Sequence, residues 1–496
     1  MLEYQSRITS HGNRQLELKV VYPLSRSAQR KRYEIDLYMF NPYQLGITQD
    51  RYGTARFLHD MRSYTRYEAA LISLAKLADP ACELSPLTRI FDMLKDASMA
   101  HDISEKAMLH ELRGLSSMYH NQLGETRHVL MSMLKSGAHT EDVLESLTPF
   151  LHDADIFLTR FHALRPLFMD PRLHADSRLA LDWADESISL TTEKTFMRLY
   201  KLFCQSQELA AATIAVRERL EREQQHRQDH HYPTVADASA PTANEYYLYR
   251  DGQLKKWMEA FMFMTCDPAN TLTRFTQIFM GVAAGAAMGF AVLIAFFTTR
   301  LFAIYSLPWV IIIIMAYIVK DRIKEIMRNT MIACLPKLVA DQINDLIDPA
   351  NNVKVGVTRA RVRFCAPGDV PEMVRQLRRL QANPFTAMIP PENVIHFHKD
   401  VYINSAQFMR SHQRLEALAD IMRFKLDAWL DNMDDPVSTL HRLNGDGIEN
   451  VPAQRVYHIN LIVGLSEQGH DSSPTYFRYR LILTREGIVR IEEVEI

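Results

Sequence analysis

Residues 275–297 read FTQIFMGVAAGAAMGFAVLIAFF, an uninterrupted run of 23 residues without an ionisable side chain. A helix rises about 1.5 Å per residue and the hydrocarbon core of a bilayer is about 30 Å thick, so this run is long enough to span a membrane. A second apolar run, LFAIYSLPWVIIIIMAYIV, covers 301–319 after the short connector 298–300. The two runs predict a hairpin of two transmembrane helices.

Basic residues lie outside the two runs and are nearly absent between them. Three precede the first run and four follow the second, namely Lys255, Lys256, Arg274, Lys320, Arg322, Lys324 and Arg328. The connector contributes Arg300 alone. Because basic loops stay on the cytoplasmic side, this distribution predicts a multi-pass protein of the plasma (inner) membrane with both termini in the cytoplasm. The opening residues 1–14 contain no apolar core, so no cleavable secretory signal is expected.

Three glycines lie on one face of the first run, Gly281, Gly285 and Gly289, at a spacing of four residues. Small residues at this spacing let a second backbone approach closely, which favours helix association in lipid. Two partners fit this face: the second run of the same chain, or another copy of the protein in a homo-oligomer. Neither run contains Asp, Glu, His, Lys or Arg, so no proton relay or substrate path is expected within them.

The composition argues against several functions. The chain has 496 residues, and 57 Lys and Arg against 59 Asp and Glu give a net charge of -2, so no global attraction for nucleic acid is expected. The five cysteines never form a Cys-x-x-Cys pair, which argues against a disulfide framework and a thiolate zinc site. Phosphate-binding glycine loops and nucleophile motifs do not occur, and no cofactor is predicted.

The regions that flank the apolar runs predict a mixed fold with two cytoplasmic domains. Residues 1–221 are expected to be mainly α-helical after an opening β-hairpin, because apolar residues alternate in 16–20 and 33–39. Residues 222–244 are polar and poor in large aliphatic side chains, which is typical of a flexible linker. Residues 245–349 then form the membrane region, with a surface helix, the two spans and a stalk helix.

The last region, 350–496, is predicted to be an α+β domain. A helix is expected over about 405–430, and three closing strands are expected near 455–463, 475–484 and 488–496. One helix of the first domain is likewise expected to run without a break from about residue 175 towards residue 222.

Six arginines at the start of this last domain form a stripe. Three alternate along a strand and three follow on a helix: Arg359, Arg361, Arg363, Arg375, Arg378 and Arg379. Guanidinium groups bind carboxylates and phosphates through two parallel hydrogen bonds, so the stripe predicts a site for an anionic ligand or a lipid headgroup. A solvated or salt-bridged strand face is the alternative. Because aromatic side chains do not interleave with the arginines, nucleic acid is not expected.

Four His-Asp dipeptides occur, at His59-Asp60, His101-Asp102, His152-Asp153 and His470-Asp471. The order His59, His101-Asp102 and then Asp153 or Asp155, on a helical background, resembles HD-type metal phosphohydrolases over about 100 residues. The resemblance implies imidazole and carboxylate ligands that bind metal ions and activate a water for attack on a phosphoester. The small residues that usually follow the His-Asp pair are replaced by Ile103, Ser104 and Glu105. Polar residues at helix ends explain the same dipeptides without a metal.

These observations favour a protein that is not an enzyme, a membrane-anchored cytoplasmic scaffold or signalling protein that self-associates and binds an unidentified protein. One alternative is a metal-dependent phosphohydrolase tethered to the membrane, with His59, His101, Asp102 and Asp153 as its site. The other is an oligomeric membrane pore or effector, in which the glycine face packs one copy against the next. Membrane lipid is an expected partner in all three.

Overall fold

The computed structural model describes residues 5–496 apart from 25–29, 70–71, 97–104, 172, 269–270, 305, 339, 349–351, 380–391, 406–414, 446 and 469–473. The protein is mixed α/β, with about 52% of the described residues in helices and 29% in strands. The described residues form two large β-sheets, a two-stranded ribbon, a helical bundle and a pair of apolar helices.

All neighbouring strands named here pair in the antiparallel sense. The four-stranded sheet has the order β1 (Gln5–Ser10), β2 (Gln15–Pro23), β9 (Leu415–Lys425) and β4 (Met61–Ala69). The eight-stranded sheet has the order β14 (Gly487–Val494), β13 (Thr475–Thr484), β12 (Tyr457–Glu467), β3 (Lys31–Asn41), β8 (Asn393–Ile403), β7 (Val353–Cys365), β6 (Gln342–Asp348) and β5 (Thr265–Pro268). The ribbon consists of β10 (Val437–Asn444) and β11 (Gly447–Gln454).

The two large sheets share one hydrophobic core and form a sandwich. Leu16 and Leu18 of β2 are buried in it from one sheet, and Ile35 and Leu37 of β3 from the other, because alternate residues of a strand face the same side. The predicted alternation is therefore present. The two strands do not form the predicted N-terminal β-hairpin, however, since β2 pairs with β1 and β9 whereas β3 lies between β8 and β12.

Both ends of the chain contribute strands to this sandwich. Residues 1–221 and 350–496 are predicted as separate domains, but β3 from the first of these regions pairs along its length with β8 and β12 from the second. Lys399 of β8 and Asp420 of β9 also form a buried ion pair of 2.7 Å between the two sheets. Backbone hydrogen bonds and a common core join the two regions into one body.

Helices between β4 and β5 form a bundle with its own hydrophobic core. They are α2 (Leu74–Ala78), α3 (Pro86–Asp96), α4 (Glu105–Lys135), α5 (Thr140–His162), α6 (Leu164–Leu167), α7 (Ala175–Phe203), α8 (Ala210–Asp229) and α9 (Pro241–Glu259); a further helix, α1 (Gly53–Asp60), precedes β4. α7 packs against α4, α8 and α9, so it lies at the centre of the bundle.

The segment expected to be a flexible linker, 222–244, is helical over about half of its length. Its first part completes α8, its last part begins α9 at Pro241, and the helix expected over 175–222 is interrupted between α7 and α8. Arg227 is 1% exposed and pairs with Glu193 of α7 at 3.2 Å. This part of α8 packs through buried charged groups rather than aliphatic ones, which is why its polar composition is misleading.

Residues 415–425 form β9 and not part of the helix expected over 405–430. Residues 417–422 are all buried, so the apolar run has no helical periodicity that would separate a strand from a helix. Of the expected helix, 406–414 lie outside the described residues, and the short α13 (Asp427–Leu430) follows β9. The three predicted closing strands are present as β12, β13 and β14.

Two long helices, α10 (Thr271–Leu301) and α11 (Leu307–Leu338), connect β5 to β6. They pack against each other, and the small residues Ala283 and Ala287 of α10 and Ala316 of α11 are buried. Within the described residues, one helical stretch is long and apolar enough to cross a membrane, Met280–Leu301, and 11% of its most apolar window is buried. Because α11 begins at Leu307, its apolar part before Lys320 is only about 20 Å long.

Candidate functional site

The outer face of the eight-stranded sheet carries polar and basic side chains from neighbouring strands. Pairing aligns two rows across the strands, one with Arg361, His398, Asp36 and Gly464, the next with Arg363, His396, Tyr38 and Ile462. Residues opposite each other in antiparallel strands have Cβ atoms about 5 Å apart, so the side chains of each row are in contact range. The short helix α12 (Glu372–Arg379) covers one end of this face through Val374 and Leu377.

Asp36 lies at the centre of the face and accepts two hydrogen bonds. Its Oδ1 is 2.7 Å from Nε2 of His396 and 2.8 Å from Nδ1 of His398. The other nitrogen of His398, Nε2, lies 3.4 Å from Oδ2 of Asp400. Asp36, His396 and His398 are partly exposed, so these three side chains are open to ligands and solvent, whereas Asp400 is buried.

The hydrogen bonds in this group shift the pKa values of its members. Burial by itself would raise the pKa of Asp36, but the hydrogen bonds from His396 and His398 outweigh it and lower that pKa to about 2. The hydrogen bond to Asp36 raises the pKa of His398 above its usual value, and Asp400 acts in the same direction while burial opposes both. His398 is therefore held as a cation between two carboxylates at mildly acidic pH.

Two tyrosines frame the group. The ring of Tyr38 stacks on His396, with centroids 4.3 Å apart and an interplanar angle of 4°. Tyr476 of β13 lies over Gly464, where an added Cβ would be 3.0 Å from the tyrosine ring and 3.7 Å from Cβ of Asp36. Gly464 therefore leaves the space that lets the Tyr476 ring approach Asp36.

The predicted strand arginines line this same face. Arg359 and Arg363 are exposed and Arg361 is partly exposed, whereas Ala360 and Val362 between them are buried. The guanidinium carbon of Arg359 lies 5.1 Å from the ring centroid of Tyr402. In the described part of the chain, none of these three arginines forms an ion pair, so they are available to an anionic ligand.

The predicted helix arginines meet at a small basic pocket beside α12. A cavity of about 250 Å³ is lined by Phe40, Pro367, Gly368, Arg375, Arg378, Arg379 and Glu392. Arg378 forms two hydrogen bonds with Glu392, of 3.0 and 2.6 Å. Arg478 is 1% exposed nearby, and burial, Arg378 and Arg480 lower its pKa to about 10. Several guanidinium groups thus lie close together, and a bound anion would relieve their repulsion.

The residues of the predicted phosphohydrolase site are not brought together in the described structure. His59 lies in the last turn of α1 beside the sandwich and is largely exposed, with its Nδ1 3.3 Å from Oδ1 of Asp60. Asp153 lies in α5, in the helical bundle. His101 and Asp102 lie outside the described residues. The two described residues therefore belong to elements with different hydrophobic cores.

The three glycines of α10 do not receive side chains from α11. A Cβ added at Gly281, Gly285 or Gly289 would have no described atom within 4 Å outside its own helix backbone and chain neighbours. The buried face of α10, with Ala283 and Ala287, points elsewhere on the helix. The glycine face is open within a single chain.

Sequence reasoning identified the arginines of this face but missed Asp36, His396 and His398. The signal in the sequence was the spacing of His396 and His398, which places both side chains on one face if the segment is a strand. Their hydrogen-bond partner Asp36, however, lies 362 residues away from His398 in the chain. Comparison of the chain with models of known families, with curated proteins and with solved structures gives no significant match.

Proposed function

We propose that this chain is a membrane-anchored scaffold or signalling protein whose α/β body lies in the cytoplasm and binds an anionic group. The main support for a membrane anchor is the exposed apolar surface of α10 and α11. Large side chains of both helices are exposed, among them Val292, Phe296, Ile311 and Ile314. Exposed apolar area costs about 25 cal/mol per Å² in water, and acyl chains would remove that cost.

The connection of the two helices to the sheet supports a hairpin. α10 follows β5 and α11 precedes β6, and these strands pair with each other, so Pro268 is opposite Asn344. A helix pair that starts and ends at adjacent strands must return to the side from which it entered. With Lys320, Arg322, Lys324 and Arg328 beyond the second run, the positive-inside rule gives this side, and hence both termini, to the cytoplasm.

The short apolar part of α11 is compatible with this arrangement. The preceding connection adds Phe302 and Ile304, which are exposed and apolar. Lys320 lies 3.7 Å from the ring centroid of Tyr317, a pairing that suits an ammonium group and an aromatic ring at the membrane surface. A short hydrophobic length is accommodated by local thinning of the bilayer and by side chains that extend to the interface.

Self-association is proposed through the glycine face of α10, because Gly281, Gly285 and Gly289 are exposed and no described side chain fills the groove. In lipid, such a surface favours close packing against the same surface of another copy.

Crosslinking in intact cells, followed by mass spectrometry, tests assembly and partners together. The wild-type protein is expected to give crosslinked dimers or larger species, and Gly285→Leu is expected to reduce them several-fold because the larger side chain separates the helices. Ala286→Leu is the matched control, since Ala286 is also exposed but points about 100° away around the helix. A wild-type protein that stays monomeric and retrieves no partner would contradict the scaffold proposal.

Anion binding is tested with inorganic pyrophosphate as the probe. The full chain in mild detergent is expected to gain thermal stability on titration, and Arg375→Ala with Arg379→Ala is expected to abolish this gain because two cations of the pocket are removed. Arg442→Ala, in the exposed ribbon, controls for general loss of positive charge. An equal thermal shift in wild type and the double variant would place the anion elsewhere and refute this pocket.

A further inference from the structure

A second group of two histidines and an aspartate lies in the helical bundle. His162 ends α5, Asp185 lies in α7 and His226 lies in α8. One ligand atom from each residue lies within 4.8 Å of the other two. The group on the sheet, Asp36, His396 and His398, has the same residue types, so distances within each group decide what it can bind.

The two groups differ in spacing. On the sheet, the imidazole nitrogens lie 2.7 and 2.8 Å from Asp36 Oδ1, which is the ordinary length of a hydrogen bond. In the bundle, Oδ1 of Asp185 lies 3.2 Å from Nε2 of His226, at the outer limit of a hydrogen bond, and 3.6 Å from Nε2 of His162, which is beyond that limit. Ligands about 2.0–2.1 Å from a tetrahedral zinc ion are about 3.3–3.4 Å apart, so both distances to Asp185 also fit ligand atoms arranged around an ion.

The second oxygen of Asp185 is held by groups outside this triad. Oδ2 accepts hydrogen bonds from Nη2 of Arg165 at 2.8 Å and from the hydroxyl of Tyr232 at 2.9 Å. Outer partners of this kind fix the orientation of a ligating carboxylate. They leave Oδ1 directed towards the two imidazoles, and Asp185 itself is buried.

A further buried carboxyl group lies on the same helix as His226. Glu223 lies one helical turn before His226 on α8 and is buried. Its Oε1 has no hydrogen-bond partner among the described residues.

We propose that His162, Asp185 and His226 bind one divalent transition-metal ion of the zinc class. Imidazole nitrogens and a carboxylate oxygen are ordinary zinc ligands, and three protein ligands leave a fourth position for water. The side chain of His162 is 40% exposed, which gives the ion a path from solvent. Arg165 and Tyr232 also line an adjoining cavity of about 340 Å³, so the outer partners of Asp185 border open space.

Zinc titration of the full-length protein tests this site. Protein in mild detergent is stripped with a chelator and titrated calorimetrically with Zn²⁺ alone. One ion per chain is expected, with a matching gain in thermal stability. His162→Gln and His226→Gln are each expected to weaken zinc binding at least about tenfold, because each removes a ligand. Co²⁺ in place of zinc is expected to give the intense visible absorption of a tetrahedral site, and His162→Gln is expected to remove it.

The matched control is His396→Gln with His398→Gln, which removes the two histidines of the sheet group and is expected to leave zinc stoichiometry unchanged. Circular dichroism of each variant verifies its fold, and His162→Gln is well suited because the side chain is partly exposed. The proposal is overturned if the wild type binds no zinc, if both bundle variants bind zinc as the wild type does, or if the sheet variant alone loses it. In each of these outcomes the triad would be a hydrogen-bonded ion cluster. None of them bears on the membrane anchor.

Discussion

At the scale of single residues, Asp36 is the side chain on which the outer sheet face depends. Its carboxylate accepts hydrogen bonds from His396 and His398, and the pKa of Asp36 falls to about 2 from an ordinary value of 3.8. A group whose folded pKa is lowered stabilises the fold above its unfolded pKa. This contribution is therefore present above about pH 4 and is lost as the pH falls towards 2.

The stability contribution of His398 depends on pH in the opposite direction. Its pKa is raised above the ordinary value of 6.5, chiefly by the hydrogen bond with Asp36. A raised folded pKa stabilises the fold below the unfolded value, and that contribution is lost as the pH rises through the folded pKa. Both contributions are therefore present together between about pH 4 and pH 6.5, which is where the Asp36–His398 interaction is strongest.

Asp36→Asn is predicted to destabilise the protein most in that window. The loss at about pH 5 is expected to be roughly 2 kcal/mol, since one pKa unit corresponds to about 1.4 kcal/mol. It should be smaller at about pH 8.5, because the contribution of the pair is lost as the pH rises through the raised pKa of His398. Urea unfolding in mild detergent at both pH values measures this difference. Equal destabilisation at the two pH values, or none at either, would show that the interaction is not ionic.

Neighbouring side chains were predicted correctly where they belong to one strand. Alternation alone identified Arg359, Arg361 and Arg363 as sharing a face, and the structure bears this out. The same reasoning could not join Asp36 to His396, because their proximity results from the pairing of β3 with β8 and not from spacing along the chain. A histidine on a strand can be assigned to a functional site only when the residues of the neighbouring strand are known.

At the scale of elements, the turn between β13 and β14 contacts the turn between β1 and β2, in which Asn13 lies. The backbone N–H of Ile488 donates to the carbonyl of Asn13 at 2.6 Å, and Nδ2 of Asn13 donates to the carbonyl of Glu486 at 3.2 Å. Gly487 has φ +146°, and a Cβ there would lie 2.3 Å from the Asn13 carbonyl oxygen. The turn therefore requires glycine for both conformation and space.

Gly487→Ala is predicted to destabilise the sandwich by about 2 kcal/mol or more, because the turn must move away from Asn13 and lose both hydrogen bonds. The matched control is Gly447→Ala in the ribbon turn, where the nearest atom to an added Cβ is 4.0 Å away. Unfolding midpoints of the two variants give the comparison. If Gly487→Ala is as stable as Gly447→Ala, the contact between the two turns is not important for folding.

Element type was predictable where a run of apolar residues has the length of one element and ends at turn residues. β12, β13 and β14 follow short runs rich in aliphatic and aromatic residues, with Glu486-Gly487 at the last turn, and the long helices α10 and α11 follow long apolar runs. β9 was predicted as part of a helix. The structure buries residues 417–422 without interruption, Asp420 included, so this stretch has no periodicity that separates a strand from a helix. The end of α8 was predicted as a linker because its composition is polar, but its polar residues are buried, as in the ion pair of Arg227 with Glu193 of α7.

At the scale of the whole molecule, the sandwich is built from both ends of the chain, and the helical bundle and the α10–α11 pair are inserted between its strands. β3 lies between β8 and β12, so a fragment of residues 342–496 would lack the strand that joins these two parts of the eight-stranded sheet. Sequence patterns assign local structure and carry no information on pairing between distant strands, which is why the two ends appeared as separate domains.

The same topology makes the α10–α11 pair a removable insertion. β5 and β6 are paired neighbours, so residues 271–338 leave and rejoin the body at adjacent points. A short Gly-Ser connection in place of these residues spans that gap without disturbing either core.

The most direct test of the membrane anchor compares the full chain with the variant in which a Gly-Ser linker replaces residues 271–338. After alkaline carbonate extraction of membranes, the full chain is predicted to stay in the membrane fraction. The deletion variant is predicted to be soluble without detergent, monodisperse and unchanged in strand content by circular dichroism. A full chain released into the soluble fraction, or a deletion variant that stays with the membrane, would contradict the account.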